Sequence, residues 1–412
     1  MPSGPPPGGI FGRMRPLRSL GYPAFRRAVI AFLFTATGSW MERLVVGWYV
    51  HSETGSVFLT AATFAVRSMP NLLFGPIGGA LADRVDRRKI LMATAAIKAA
   101  IFGLLAAYTL AVDGPIWVVF AMVALGGIAS TFEVPSTQAL ITDVVDRRDA
   151  MNAISVNSFG MRAVGVLGAM LGGAMLEVVR PGWVFLTGAG LLLASTVTMA
   201  TLRGYARQKV ANTEGILKNA LRGIRVMFGI PAVAILLGVA LVVEILGFAY
   251  NSVLPAVADD VLGVGPSGLG ALTLMAGVGS MAGVALLSML GDYRRKGLLL
   301  TLITLGFGAF LIALAASTVF PLSLAVMLGV GAMAAMFDAM QWTVLQANVP
   351  SEMRGRVIGG WIFAVGFGWV GHLALGAIGQ VIGVQWAIAM SGLALAALGF
   401  GLLVFARRLR TS

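Results

Sequence analysis

The chain has 412 residues, of which 58% are apolar and only 11% are charged, and its mean hydropathy is +0.89. Soluble domains carry about 25% charged residues, so this composition excludes an ordinary soluble protein. The apolar residues run continuously instead of alternating, which predicts membrane-spanning helices and excludes a barrel of strands. Cysteine is absent, so disulfide and thiol chemistry are excluded as well.

The formal net charge of +13 raises the possibility of a nucleic-acid partner. The basic residues, however, lie in short loops between apolar runs, and this pattern indicates membrane topology instead of a nucleic-acid surface. The two histidines belong to no visible cluster of ligands, so the sequence predicts no metal site and no cofactor.

At roughly 20 residues per span, the chain accommodates about twelve membrane helices. The predicted spans of the first half are residues 28–49, 57–81, 90–112, 116–141, 152–176 and 183–202. Those of the second half are residues 232–258, 268–290, 298–316, 321–347, 357–381 and 386–405. The predicted domains are a cytoplasmic tail at 1–27, helix bundles at 28–202 and 231–405, a cytoplasmic linker with an interfacial helix at 203–230, and a cytoplasmic tail at 406–412. Residues 1–18 are rich in Pro and Gly and then basic, show no cleavable signal peptide, and are expected to be disordered.

Charge counting gives the orientation of these spans. Of the 30 Lys and Arg residues, 25 lie in the tails, the linker and alternate loops, whereas only Arg180 lies in a loop on the other side. Because Lys and Arg are retained on the cytoplasmic side, both termini are predicted to be cytoplasmic.

The loop after the second span carries the most specific motif. Its pattern Gly79-x-Leu81-x-Asp83-Arg84-x-x-Arg87-Arg88 resembles the signature loop between helices 2 and 3 of the major facilitator superfamily. Asp86 stands where that signature usually has Gly. The variant Asp-Arg-x-Asp-Arg-Arg is similar to the branch that holds bacterial multidrug exporters and the enterobactin exporter.

The two halves also resemble each other. Phe132-Glu133 aligns with Phe337-Asp338 at an offset of 205 residues, and Gly291 begins a reduced copy of the signature loop. Such duplication is typical of a transporter built from two parallel repeats with its binding site at their interface. The resemblance therefore implies an all-α fold of twelve transmembrane helices in two pseudo-symmetric halves that rock about a central cavity.

Charged side chains inside membrane spans are costly and need a partner or water, so they are candidates for function. Glu133 and Asp338 occupy equivalent places in spans 4 and 10, where each is a candidate proton-coupling carboxylate or one half of a structural ion pair. Glu42 and Glu244 lie in spans 1 and 7, which line the cavity in the resembling family; the alternative is a buried pair with Lys98, Arg67 or Arg162. The candidates for coupling or for lining the cavity are Glu42, Glu133, Glu244, Asp338, Arg43, Arg67 and Arg162.

Two further sets of residues follow from the resemblance. The family implies a cytoplasmic latch between the halves, formed by the signature loop and facing basic residues. Its candidate residues here are Gly79, Asp83, Arg84, Arg87, Arg88, Arg147, Arg148, Arg354 and Arg356.

In span 5, Gly165, Gly168, Gly172 and Gly173 resemble the antiporter motif Gly-Pro-x-x-Gly-Gly, with Ala169 in place of Pro. Their small size permits close helix packing whether or not they signal antiport.

Together these features predict a monomeric secondary transporter in a bacterial inner membrane, not an enzyme. We expect efflux of a small organic molecule, drug-like or siderophore, by alternating access and driven by protons. The resemblance alone supplies the direction of transport. Uptake or facilitated transport of a metabolite or anion, and lipid translocation, are the alternatives.

Overall fold

The computed structural model describes residues 15–112, 114–202, 231–291, 293, 295–347 and 365–405. Helices α1 to α7 are, in order, Pro23–Thr54, Val57–Arg84, Arg87–Ala111, Trp117–Thr131, Glu133–Val144, Ala150–Leu176 and Pro181–Ala200. Helices α8 to α14 are Pro231–Leu246, Tyr250–Ala256, Gly265–Met289, Lys296–Ala316, Phe320–Ala347, Gly368–Ile382 and Val384–Phe405. The predicted linker, residues 203–230, lies outside the described residues.

Eleven helical segments of the described chain are long and apolar enough to cross a membrane. Helices α4 and α5 together form one of them, Trp117–Val144, and another, Val233–Val261, begins in α8 and continues through α9. Helix α13 is a shorter apolar helix in the place of the predicted eleventh span, whose first residues are not among those described. The predicted all-α membrane architecture is confirmed.

The fourth span is broken immediately before Glu133, although the sequence pattern suggested one continuous helix. Phe132 separates α4 from α5, and Pro135 lies in the first turn of α5. A proline has no N–H to bond the residue four positions earlier, here Thr131, and its ring crowds that carbonyl. Pro135 therefore accounts for the break, which leaves Glu133 at the start of a new helix.

The seventh span is broken as well. Helix α8 ends at Leu246, and the N–H groups of Gly247 and Phe248 both bond the carbonyl of Val243. After α9, a π turn at Val257–Val261 continues the same span. Both irregular spans carry acidic side chains at their irregular points, which makes these places candidates for function.

The chain forms two compact units that differ from the two halves of the sequence. The first unit contains Met1–Val45 and Leu73–Thr213, and the second contains Val46–Leu72 and Glu214–Ser412. The end of α1 and most of α2 therefore belong with the second unit. There the hydroxyl of Ser56 and the N–H of Phe58 donate to the side-chain oxygen of Gln380, at 2.9 and 3.2 Å. The domain boundaries drawn from the sequence stay a prediction.

The N-terminal segment differs from the expected disordered tail. A short 3-10 helix, Arg15–Gly21, precedes α1, and the hydroxyl of Tyr22 lies 2.8 Å from carboxylate oxygens of both Asp146 and Asp149. Burial, followed by these two hydrogen bonds, raises the pKa of Tyr22 above its usual range. The phenol therefore stays protonated and ties the entrance of α1 to the loop before α6. Helix α1 accordingly begins at Pro23 and not near residue 28.

Glycines allow two pairs of helices to touch at related positions. In the first unit, a Cβ on Gly168 of α6 would stand 2.8 Å from the carbonyl oxygen of Thr37 on α1. In the second unit, a Cβ on Gly371 of α13 would overlap the carbonyl of Ile245 on α8. Gly168 and Gly371 are equivalent in the duplicated sequence, so each half repeats one close helix contact. We call these contacts the first and second glycine seams.

Candidate functional site

A buried ion pair lies inside the helix bundle of the first unit. The ammonium of Lys98, on α3, stands 3.0 and 3.1 Å from the two carboxylate oxygens of Glu133 and donates to the hydroxyl of Ser39 at 2.8 Å. The side chain of Lys98 is 2% exposed and that of Glu133 is 16% exposed. All three donors of the ammonium can be satisfied by these oxygens, which explains how a cation is tolerated among apolar spans.

The helix break before Glu133 contributes to this site. Glu133 occupies the first turn of α5, where the positive end of the helix dipole favours a negative charge. The packing of α3 against α5 brings Lys98 to the same point. Pro135 was the signal in the sequence that could have revealed this placement.

Glu133 also lines a cavity of about 240 Å³ within the first unit. The wall is contributed by α1, α3, α5, α6 and α7 and mixes apolar with hydrogen-bonding side chains. Its polar members are Thr35, Thr94, Glu133, Thr137, Gln138, Asn157, Ser158 and Ser195. A carboxylate has about four lone-pair positions, so Glu133 can accept a ligand's hydrogen while it remains bound to Lys98.

Asn157 gives this cavity a second polar feature. Its side chain is 2% exposed, and its amide oxygen has no hydrogen-bond partner among the described residues. The amide nitrogen meets only the sulfur of Met161, at 3.3 Å, which is a weak acceptor. An unsatisfied buried amide costs free energy, so a hydrogen-bonding ligand would be stabilised here.

The second unit holds a different arrangement of acids. A Cβ on Gly368 of α13 would stand 3.0 Å from Oε1 of Glu244, so the Glu244 carboxyl lies against the second glycine seam. Glu244, on α8, is within electrostatic reach of Asp338 on α12. One helical turn further along α12, the amide of the buried Gln341 donates to the carbonyl of Leu236 at 3.2 Å. Asp338 thus matches Glu133 in sequence and lies near a second acid, Glu244.

The other charged candidates lie elsewhere in the structure. Glu42 is buried in α1, and the guanidinium of Arg43 lies over the ring of Trp40, 4.6 Å from its centroid. Arg67 is half-buried in the second unit, and Arg162 is exposed on α6. Lys98 pairs with Glu133, and the roles of Glu42, Arg43, Arg67 and Arg162 stay predictions.

The signature loop makes most of its described contacts within the first unit. Arg87 pairs with Asp143 and donates to the carbonyl of Ala139 at 3.1 Å. Arg88 donates to the carbonyls of Met199 and Ala200, at 3.0 and 2.7 Å, which are C-terminal carbonyls of α7. These two arginines therefore neutralise the C-terminal ends of α5 and α7.

Asp86 explains the departure from the family pattern. It caps α3 by accepting the N–H of Arg88 at 3.0 Å, and its φ of −58° requires no glycine. Arg84 and Arg147 are exposed, and Arg148 pairs with Asp146 at 3.4 Å. The surroundings of Gly79 and of the Asp83 side chain are not described, and Arg354 and Arg356 lie outside the described residues, so the latch stays a prediction.

The antiporter-like glycines of span 5 form the first glycine seam. A Cβ on Gly165 would stand 2.5 Å from the Trp40 ring, and one on Gly172 would stand 3.4 Å from Cα of Met41. Gly173 is buried on the same helix. Their observed role is close packing of α6 on α1. Sequence reasoning did not anticipate Ser39, which accepts a hydrogen bond from Lys98, or the cavity residues Asn157 and Gln138. The available signal was that each is an isolated polar side chain in a span.

The membrane spans hold a charged pair beside a polar cavity, and the same close helix contact occurs in both halves. These features are typical of a helical membrane protein of the transporter class. The chain belongs to the Major Facilitator Superfamily, whose sequence model matches residues 28–359. This membership confirms the family resemblance and identifies the chain as a multi-pass transporter of that superfamily.

The chain is similar to proteins named as enterobactin exporters. The chain is 26% identical over 401 residues to the enterobactin exporter EntS of Shigella boydii serotype 4 (strain Sb227), which covers 94% of this chain and 93% of the relative. The same identity and coverage hold for the enterobactin exporter EntS of Escherichia coli O1:K1 / APEC.

Solved structures support the fold. A mutant of the peptide transporter POT in complex with alafosfalin matches with a TM-score of 0.78 and 15% identity over 98% of this chain and 97% of that one. The nucleoside transporter NupG matches with a TM-score of 0.72 and 14% identity over 93% of this chain and 99% of that one. The predicted major facilitator fold, with twelve spans in two related halves, is confirmed.

Proposed function

We propose that this transporter exports a small organic molecule, drug-like or siderophore, from the cytoplasm in exchange for protons. The observation that carries this proposal is the 26% sequence identity to an enterobactin exporter, in an alignment that covers 94% of the chain. The charge asymmetry of the loops supports a bacterial inner membrane location with both termini in the cytoplasm. The protein acts as a monomer, with the lipid bilayer as its surroundings.

The cavity beside Glu133 supports a role for the first unit in binding substrate. Its carboxylate, together with the amide oxygen of Asn157, offers two hydrogen-bond acceptors in a partly apolar wall. Catechol hydroxyls or a substrate ammonium group would donate to them. A transported molecule that lacks such donors would leave Asn157 unsatisfied.

The acids of the second unit support proton coupling. Glu244 and Asp338 repel each other when both are ionised, and the membrane interior offers little solvent to screen them. Uptake of one proton removes this repulsion. Glu133 is less suited to carrying the proton because Lys98 already balances its charge. We therefore assign coupling to Glu244 and Asp338, and substrate binding to Glu133.

The test is compound-dependent proton movement in proteoliposomes with an imposed pH gradient. The panel contains cationic dyes, drugs and a catecholate siderophore, and internal pH is followed with each one. We expect Glu244→Gln and Asp338→Asn to abolish compound-dependent proton movement. The control Glu177→Gln, which removes an exposed carboxylate at the end of α6, should retain it.

The sign of proton exchange on binding separates export from the alternative of proton-driven uptake. An antiporter releases protons when substrate binds, because the two compete, whereas a symporter takes protons up. We expect release by purified protein in weak buffer. Proton uptake on binding would overturn antiport, and unchanged coupling in both acid variants would overturn the assignment to Glu244 and Asp338.

A further inference from the structure

Within the second unit, His51 lies close to two acids that are far away in the sequence. Its Nε2 is 3.6 Å from Oδ2 of Asp259 and 3.3 Å from Oδ1 of Asp260. His51 is near the end of α1, and both acids lie in the π turn of the seventh span. The coupling mechanism proposed above uses none of these residues.

The hydrogen bonds around His51 determine where its proton lies. The hydroxyl of Thr60 donates to the carbonyl of Ser56 at 2.8 Å and so uses its one hydrogen. The same hydroxyl oxygen lies 3.4 Å from Nδ1 of His51 and can act there only as the acceptor. When the proton of neutral His51 is on Nδ1, directed at the Thr60 hydroxyl, the lone pair of Nε2 faces the two carboxylates.

In this tautomer the Nε2 lone pair and the two carboxylate oxygens repel one another, and a metal cation bound between them would remove that repulsion. A charge-assisted hydrogen bond would bring nitrogen and oxygen to about 2.7–2.9 Å, which is shorter than either distance here. Ligands at about 2.1 Å from a tetrahedral zinc ion are about 3.4 Å apart. The two measured separations bracket this value, and the three ligand atoms all lie within 4.8 Å of one another.

The burial of the three side chains also suits a metal ion. His51 is 2% exposed, whereas the side chains of Asp259 and Asp260 are 43% and 52% exposed. The histidine is thus fixed by the fold, with Thr60 holding its ring in the manner of an outer-shell partner. The acids leave one side open for entry of the ion and for a water ligand.

We propose that His51, Asp259 and Asp260 form a binding site for a divalent transition-metal ion of the zinc type. One imidazole nitrogen and two carboxylate oxygens are ligands that zinc accepts, whereas Mg²⁺ and Ca²⁺ prefer oxygen alone. The sequence offered no sign of this site because His51 and Asp260 are separated by 209 residues. The proposal replaces the sequence-based expectation of no metal site.

The experiment is a calorimetric titration of Zn²⁺ into the full-length chain purified with a removable tag that has no histidine. We expect one ion per chain and at least tenfold weaker binding in His51→Gln. His372→Gln is the matched control, since His372 is the only other histidine, and it should bind within twofold of wild type. Tenfold excess Mg²⁺ should not displace the zinc.

A second variant tests the metal site independently, in case His51→Gln does not fold. Asp259→Asn with Asp260→Asn alters only partly exposed side chains and should weaken zinc binding by at least tenfold, while gel-filtration behaviour stays normal. Zinc should raise the thermal midpoint of wild type and leave that of this double variant unchanged. Absence of saturable binding, or equal binding by wild type and both variants, would overturn the proposal.

Discussion

At the scale of single residues, Lys98 is a cation buried inside a membrane span. It is 2% exposed, lies within an apolar span, and depends on Glu133 and Ser39 for its stabilisation. Removal of one member of a buried ion pair leaves an unbalanced charge and costs about 3–5 kcal/mol. Replacement of both members by neutral groups of similar size is often close to neutral.

We therefore expect Lys98→Met and Glu133→Gln each to lower the free energy of unfolding by about 3–5 kcal/mol. The combined variant should lie within about 1 kcal/mol of wild type, because no charge remains unpaired. Thermal unfolding followed by the fluorescence of the eight tryptophans is the measurement, since the chain has no cysteine for thiol dyes. A combined variant as unstable as either single one would contradict the pairing.

At the scale of helices, the glycine seams fix how closely two spans can approach. Gly168 faces the backbone of Thr37, which cannot move aside as the end of a flexible side chain would. Gly190, on α7, has nothing within 4 Å of the position of a Cβ. Gly168 therefore has no room for a side chain, whereas Gly190 does, and the two glycines can be compared by the same substitution.

Gly168→Ala should destabilise the protein by about 1–3 kcal/mol, the usual cost of overpacking. Gly190→Ala should be neutral or stabilising by up to about 1 kcal/mol, because alanine suits a helix interior better than glycine. Thermal midpoints of the two purified variants provide the comparison. Equal midpoints would show that α6 and α1 can separate at no cost and that the seam does not matter for stability.

At the scale of the whole molecule, the proposed latch assigns Asp83 a role that its neighbours do not share. Arg87 and Arg88 are engaged within the first unit, and Asp86 caps α3. We propose that Asp83 holds the cytoplasmic ends of the halves together, as the family resemblance implies. An uncharged side chain at this position would weaken that charge-dependent contact.

Asp83→Asn should insert normally and lose at least tenfold in the rate of compound-dependent proton movement. Asp86→Asn is the matched control in the same loop, because asparagine caps a helix about as well as aspartate. It should keep most of the wild-type rate. Membrane abundance and flux in proteoliposomes are the two measurements, and a normal rate in the Asp83 variant would contradict the latch.

The spans, their number and the duplicated halves could be predicted from the sequence because hydrophobic length and loop charge decide them locally. The break before Glu133 depends on one proline, Pro135, within a span of membrane length, so hydrophobic length alone did not reveal it. Lys98 was recognised as an intramembrane charge, but its partner was not, because four acids were available. The contact of His51 with Asp259 and Asp260 arises from tertiary packing and leaves no local pattern.

The ion pair between α3 and α5 also has a consequence for how the chain is made. Lys98 leaves the ribosome 35 residues before Glu133, an interval of about 2–7 s at ordinary rates of synthesis. During that interval the third span carries a cation whose carboxylate partner does not yet exist. We therefore expect the third and fourth spans to enter the lipid together as a hairpin, because the third span alone would carry Lys98 without its carboxylate partner.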